Sequence, residues 1–152
     1  MRDIKQQVSY GKYWENKCKE QLNQLNTFGQ LDLTDSYDDF ENFDMFNDNY
    51  YIEHKQRKIT GTRYPTLVFD YVKWRRFLEL KKDNTSLRFF VIWTCTDDRY
   101  IWEMKESKWN NEVYVNRWEQ QDRGKGYLQD TDVCNVPVQY ITKFKDFNLE
   151  SV

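Results

Sequence analysis

The chain has 152 residues, a formal net charge of −2, 39% hydrophobic residues and 32% charged ones, with a mean hydropathy of −0.99. That length closes one core, so a single domain over residues 1–152 is expected. No run approaches the roughly 20 apolar residues of a membrane helix, which excludes a helical membrane protein, and no global positive field draws the chain to nucleic acid.

Aromatic residues make up 18%, with 6 Trp, 11 Tyr and 10 Phe, the opposite of a disordered composition. There is no alanine, asparagine occurs 12 times, and Gly (5) and Pro (2) are scarce. Such a bias fits an AT-rich genome of the viral or phage kind. The opening Met1–Gln7 has no apolar stretch, so no secretory leader is expected. A cytoplasmic location follows, that of an infected host cell if the origin is viral. Cys18, Cys95 and Cys134 lie far apart, and His54 is the lone histidine. No zinc spacing exists, and the thiols read as reduced packing residues.

In chain order, residues 10–26 read as a helix. Tyr10, Tyr13, Trp14, Cys18, Leu22 and Leu25 form its apolar stripe, with Glu15 at the edge and Gly29 as a stop signal. Asp32 to Asp48 carry seven acids (Asp32, Asp35, Asp38, Asp39, Glu41, Asp44, Asp48) and no base. Within this segment 42–46 reads as a short strand and 47–49 as a turn. Residues 50–57 return as the second strand of a hairpin. From Glu53 to Lys82 nine bases meet three acids.

A brief strand is expected at 67–69. A second helix follows over 70–82, with Tyr71, Trp74, Phe77 and Leu78 on one face. The apolar run within 87–96 reads as a strand buried on both faces, and 99–104 returns beside it. Tyr114, Trp118 and residues 136–141 suggest later edge strands, while 105–135 is ambiguous between strand and loop. The order predicts an α/β domain, bordering on α+β, with one central mixed sheet flanked by helices.

The chemistry concentrates in the hairpin. Residues i and i+2 of a strand share a face, so Glu53, Lys55 and Arg57 point together, and His54 points to the other side. Asp44 lies on the facing strand, within cross-strand reach. Asp39 and Asp48 are alternatives for this acid, because the register is inferred. Two carboxylates beside an ammonium suit metal-assisted phosphodiester hydrolysis. Mg²⁺ takes oxygen ligands and keeps several waters, here from Asp44, Glu53 and the His54 carbonyl. Lys55 can orient a water or stabilise charge on the phosphorus.

Asp44 followed by Glu53-His54-Lys55 resembles the motif of the PD-(D/E)XK nuclease superfamily. The resemblance covers roughly residues 10–104 as helix, hairpin, helix, buried strand, strand. Phe43 stands where the family pattern has proline, and no Gln-x-x-x-Tyr element follows, unlike RecB-type exonucleases. Many members add a helical glutamate, a position Glu15 fits. The resemblance implies a restriction-endonuclease-like fold and a DNA endonuclease using Mg²⁺, with Mn²⁺ as substitute. Asp44, Glu53 and Glu15 would bind metal, Lys55 would serve the attacking water, and the products would carry 5′-phosphate and 3′-hydroxyl ends. Branched DNA is the preferred substrate class and a homodimer the expected assembly, by analogy with small junction-cutting members. Arg57, Arg63, Lys73 and Arg76 are the candidates for DNA backbone contact; a solvated helix face explains Lys73, Arg75 and Arg76 equally well.

The bare acid-x-Lys pattern occurs six times, starting at Asp3, Glu15, Glu53, Glu79, Glu103 and Glu106. Glu15 and Glu79 fall on helices, where i and i+2 do not share a face. Glu103-Met-Lys105 is the serious decoy, but no helix and buried strand follow it. The alternative function is a non-catalytic nucleic-acid-binding or protein-interaction module on the same fold, which the net charge and acidic segment favour. A structural virion protein rests on the viral composition alone.

Overall fold

Residues 89–93 sit at the centre of the molecule, and their alternation decides its layering. In the computed structural model, which describes residues 4–34, 42–121 and 129–150 and the side chains of 12–34, 42–116 and 132–150, they belong to β5 (Arg88–Thr94). Phe89, Val91 and Trp93 enter one apolar cluster with Phe69, Trp74, Phe77 and Trp102. Phe90 and Ile92 enter a second with Cys18, Leu22, Ile52 and Ile101. A strand turns successive side chains to opposite faces, so this one is buried on both, as its composition predicts. Each fully buried side chain of this size contributes about 1.5–3 kcal/mol.

Around β5 runs a six-stranded mixed sheet. It comprises β1 (Asp32–Leu33), β2 (Met45–Phe46), β3 (Tyr50–Gln56), β5, β6 (Arg99–Met104) and β9 (Thr142–Lys143), in that order. β3 and β5 are parallel and the other neighbours antiparallel. A parallel pair needs a long crossover, supplied here by β4 (Thr66–Asp70) and α2 (Tyr71–Asp83). Helix α1 (Ile4–Leu25) covers one face through Cys18 and Leu22. α2 covers the other through Trp74 and Phe77. The fold is thus mixed α/β, and no described helix is long and apolar enough to cross a membrane.

The later strands depart from expectation. β7 (Tyr114–Gln121) and β8 (Gln129–Pro137) do not extend the central sheet. They form a second, antiparallel sheet in the order β4-β8-β7. The pairs Leu67↔Val136 and Phe69↔Cys134 explain why. All four side chains are buried and join the cluster beneath α2, so β4 finds an apolar partner in β8 rather than at the central edge. Trp93 Nε1 donates to the Val68 carbonyl at 2.8 Å, tying the two sheets.

The α1 stripe is also narrower than predicted. Tyr13 and Leu25 are exposed, at 53% and 63%. The helix ends before Asn26, which takes the left-handed conformation (φ 55°), while Gly29 (φ 74°) serves the turn beyond. On α2, Leu78 is exposed. The 47–49 turn forms as predicted. Asn47 Oδ1 accepts from the backbone N–H groups of Asn49 and Tyr50, a local side-chain turn of the kind asparagine favours.

Candidate functional site

β3 builds the site from its second half. Tyr51 packs against the cluster beneath α2, and Glu53 and Lys55 follow it on that face. Ile52 and His54 turn toward α1. The pairs Met45↔Ile52 and Phe46↔Tyr51, carried back one residue, set Asp44 opposite Glu53. Asp44 Oδ2 accepts the His54 backbone N–H at 2.8 Å. The acid expected across the hairpin is therefore in place, although the strand is shorter than the expected 42–46 and Asp44 lies one residue before it. Asp48 lies exposed in the turn, and Asp39 falls outside the described residues.

Glu53 is the buried centre. Its Oε2 lies 3.1 Å from Lys55 Nζ, and its Oε1 lies 3.5 Å from Lys73 Nζ. The Glu53 side chain is 3% exposed and that of Lys73 5%. Lys73 Nζ also donates to the Asn42 carbonyl. Lys55 has a second carboxylate, Asp70 Oδ2, at 3.4 Å. A chain of alternating charge results, Lys73–Glu53–Lys55–Asp70, drawn half from β3 and half from the β4–α2 junction.

Glu15 stands on the α1 side and pairs with Lys12 of its own helix at 3.4 Å. Lys12 in turn donates to the Thr34 carbonyl at 2.7 Å, fixing α1 against β1. Glu15 reaches the site through Asp44. Burial first, then the Glu53 and Glu15 carboxylates, raise the Asp44 carboxyl well above the ordinary aspartate range, against the opposing pull of Lys73 and Lys55. Burial pulls the Lys55 ammonium down, but Glu53 and Asp70 outweigh it, with Asp44 adding to them against Arg57, and hold it above the ordinary lysine value. Glu15 Oε2 and Glu53 Oε1 are buried and each has an ammonium nearby, yet neither has a hydrogen-bond partner.

Among the described residues no group of three or more His, Cys, Asp or Glu side chains is arranged to hold a metal ion.

The cations expected to touch DNA divide. Arg57 is half-buried at the end of β3; its Nη1 donates to the Gln56 carbonyl. Burial lowers its pKa, with Asp70 opposing. Arg63 is exposed, 6.0 Å from the Tyr64 ring centroid. Arg76 pairs with Glu79 at 3.0 Å on the outer side of α2. Lys73 is a correction. The sequence places it on a solvated or DNA-facing helix surface, whereas it is buried against Glu53 because the first turn of α2 lies on the β3 face.

His54 points away, as expected. Its Nε2 shares a hydrogen bond with Thr94 Oγ1 at 2.8 Å, and Arg99 Nε donates to the same hydroxyl at 2.9 Å. Burial, then Arg99, Lys55 and Arg57, lower its pKa to about 3, so the ring is neutral near pH 7. The decoy Glu103 has both oxygens on Arg88, from Nε and Nη2, each at 2.8 Å, which is a structural bidentate pair.

Sequence reasoning missed Asp70 and the role of Lys73. The available signal was Asp70 at a strand–helix junction, the place of an N-cap, with Lys73 in the turn that follows.

No protein-family model, curated protein or solved structure matches this chain.

Proposed function

We propose that the chain is a Mg²⁺-dependent DNA endonuclease built on a restriction-endonuclease-like core, with branched DNA as the preferred substrate. The observation that carries this reading is the Glu53–Lys55 pair, 3.1 Å apart on one strand face, with Asp44 across the hairpin. The order of helix, antiparallel strands, crossover helix and parallel buried strand supports it. So does the donor set. Asp44 and Glu53 offer hard carboxylate oxygens, Glu53 Oε1 lacks a hydrogen-bond partner, and Mg²⁺ is commonly held by one or two carboxylates plus substrate phosphate oxygens and water. Asp44 and Glu53 would hold the ion, with Glu15 behind Asp44.

When bound, Mg²⁺ polarises the phosphoryl group and acidifies a water. The chain's own residues do the rest. Lys55, at 16% side-chain exposure, is the ammonium open enough to meet a phosphate oxygen or orient the attacking water. Glu53 holds that ammonium in place. Lys73, anchored on Asn42, keeps positive charge against Glu53 and holds its carboxylate ionised. Arg57 adds a cation at the strand end, and exposed Arg63 and partly exposed Arg76 can follow the phosphate backbone.

The test is cleavage of supercoiled plasmid, single-stranded DNA, a four-way junction and RNA with Mg²⁺ or Mn²⁺. Lys55→Ala and Glu53→Asp are run alongside; the latter keeps the charge Lys73 needs. Metal-dependent cutting lost in both folded variants supports the reading. No cutting of any substrate by the wild type overturns it.

A second reading has one observation in its favour. Glu53 already has an ammonium against each oxygen, and Glu15 has Lys12. A site so neutralised also suits a non-catalytic nucleic-acid-binding module, which would bind the junction without cutting it.

A further inference from the structure

We propose that Asp70 is a positioning residue that pins the Lys55 ammonium from the opposite sheet. Its catalytic meaning rests on the nuclease reading above. Asp70 occupies the N-cap of α2, yet its side chain makes no capping hydrogen bond. An aspartate there ordinarily accepts from the N–H two or three residues on. Instead its Oδ2 turns to Lys55 Nζ, 3.4 Å away, and both side chains are 16% exposed. The carboxylate has exchanged a local stabilising role for a contact 15 residues back in the chain.

Lys55 needs such a contact. A lysine ends a flexible four-carbon stem in three rotatable donors, so its ammonium is costly to hold in one place. Glu53 restrains it from its own strand, on one side only. Asp70 arrives from β4, in the other sheet, and restrains it from a second direction. Two carboxylates on different elements define where the ammonium sits, and a reacting group misplaced by about 1 Å can lose 10²-fold in rate.

The test uses full-length protein labelled with ¹³Cε-lysine, as wild type, Asp70→Asn, Asp70→Glu and Asp70→Ser. Serine keeps a capping group and removes the charge, so it guards against Asp70→Asn failing to fold. The order of the Lys55 ε-methylene is read by NMR relaxation, and turnover and KM by cleavage. The expected result is that Lys55 loses order in the Asn and Ser variants, approaching exposed Lys145. Asp70→Glu restores it, and turnover falls roughly tenfold or more with KM within about twofold. An ordered Lys55 in Asp70→Asn or Asp70→Ser overturns the proposal, even where the wild type cleaves. A disordered Lys55 in those variants, beside a wild type that cleaves nothing, supports the pin and overturns the nuclease reading.

Discussion

Lys73 Nζ faces Glu53 Oε1 at 3.5 Å, with both side chains almost fully buried. Breaking a buried ion pair from one side leaves an uncompensated charge and costs about 3–5 kcal/mol, whereas replacing both partners by apolar groups is often neutral. Glu53→Gln leaves the buried Lys73 ammonium without its carboxylate, while Lys55 keeps Asp70, so urea unfolding should give a loss in that range. Glu53→Gln combined with Lys73→Met should recover part of it. Equal stability of wild type and Glu53→Gln would mean that the pair is not formed in solution.

His54 makes a pH prediction whose sign is fixed by its burial. Its folded pKa, about 3, lies below the unfolded value near 6.5. The unfolded chain therefore binds the extra proton between those values, and stability falls as pH drops below 6.5. The loss attributable to this ring reaches about 2 kcal/mol by pH 5. As the chain has one histidine, His54→Gln isolates it. Between pH 7 and pH 5 the wild type should lose about 2 kcal/mol more than the variant in chemical denaturation. Parallel pH profiles would place the imidazole in solvent.

Glu103 provides an internal control for the site. It sits in the same acid-x-Lys pattern as Glu53 but binds Arg88 through both oxygens. Glu103→Gln should cost about 1 kcal/mol, as a partly exposed ion pair does, and, on the proposed nuclease reading, leave cleavage within about twofold of wild type. Abolished cleavage with normal stability would move the site to β6.

Gly61 is required by a neighbour. A Cβ there would lie 2.2 Å from Tyr100 Cε2. The ring cannot swing aside freely, because Tyr100 Oη donates to Asp97 Oδ2 at 2.7 Å while the Gly61 N–H donates to Asp97 Oδ1 at 2.9 Å. Gly61→Ala should destabilise by about 1–3 kcal/mol. In a double-mutant cycle with Tyr100→Val, the coupling should exceed about 1 kcal/mol. An additive cycle would show that the loop moves instead.

What the sequence made legible follows from local physics. Period-two alternation placed Glu53 and Lys55 on one face and His54 on the other, and an unbroken apolar run marked β5. Asp44 was reachable because a short turn leaves few registers. The rest depends on contacts far apart in the chain. Nothing near Val136 announces that it pairs with Leu67 rather than the central sheet. Tyr13 fits the α1 stripe by spacing, but it stays 53% exposed. Lys73 reads as a surface residue by type, and only the seat of α2 on β3 buries it. Asp70 opens the helix expected over 70–82, and nothing near it in the sequence points to Lys55.

The division of the crossover between two sheets has a consequence for how the protein folds. Thr66 on β4 bonds Asn135 on β8, 69 residues away in sequence, whereas the β2–β3 hairpin closes over a short turn. Long loops close at an entropic cost that local pairs avoid, so distant pairings tend to slow folding. The half of the site on β3 can thus form early. The half carrying Asp70 and Lys73 waits for the last third of the chain. A chain cut before β8 keeps Glu53 and Lys55 on their strand but lacks the strand that seats β4, so the Asp70–Lys55 contact forms only after β8 is in place.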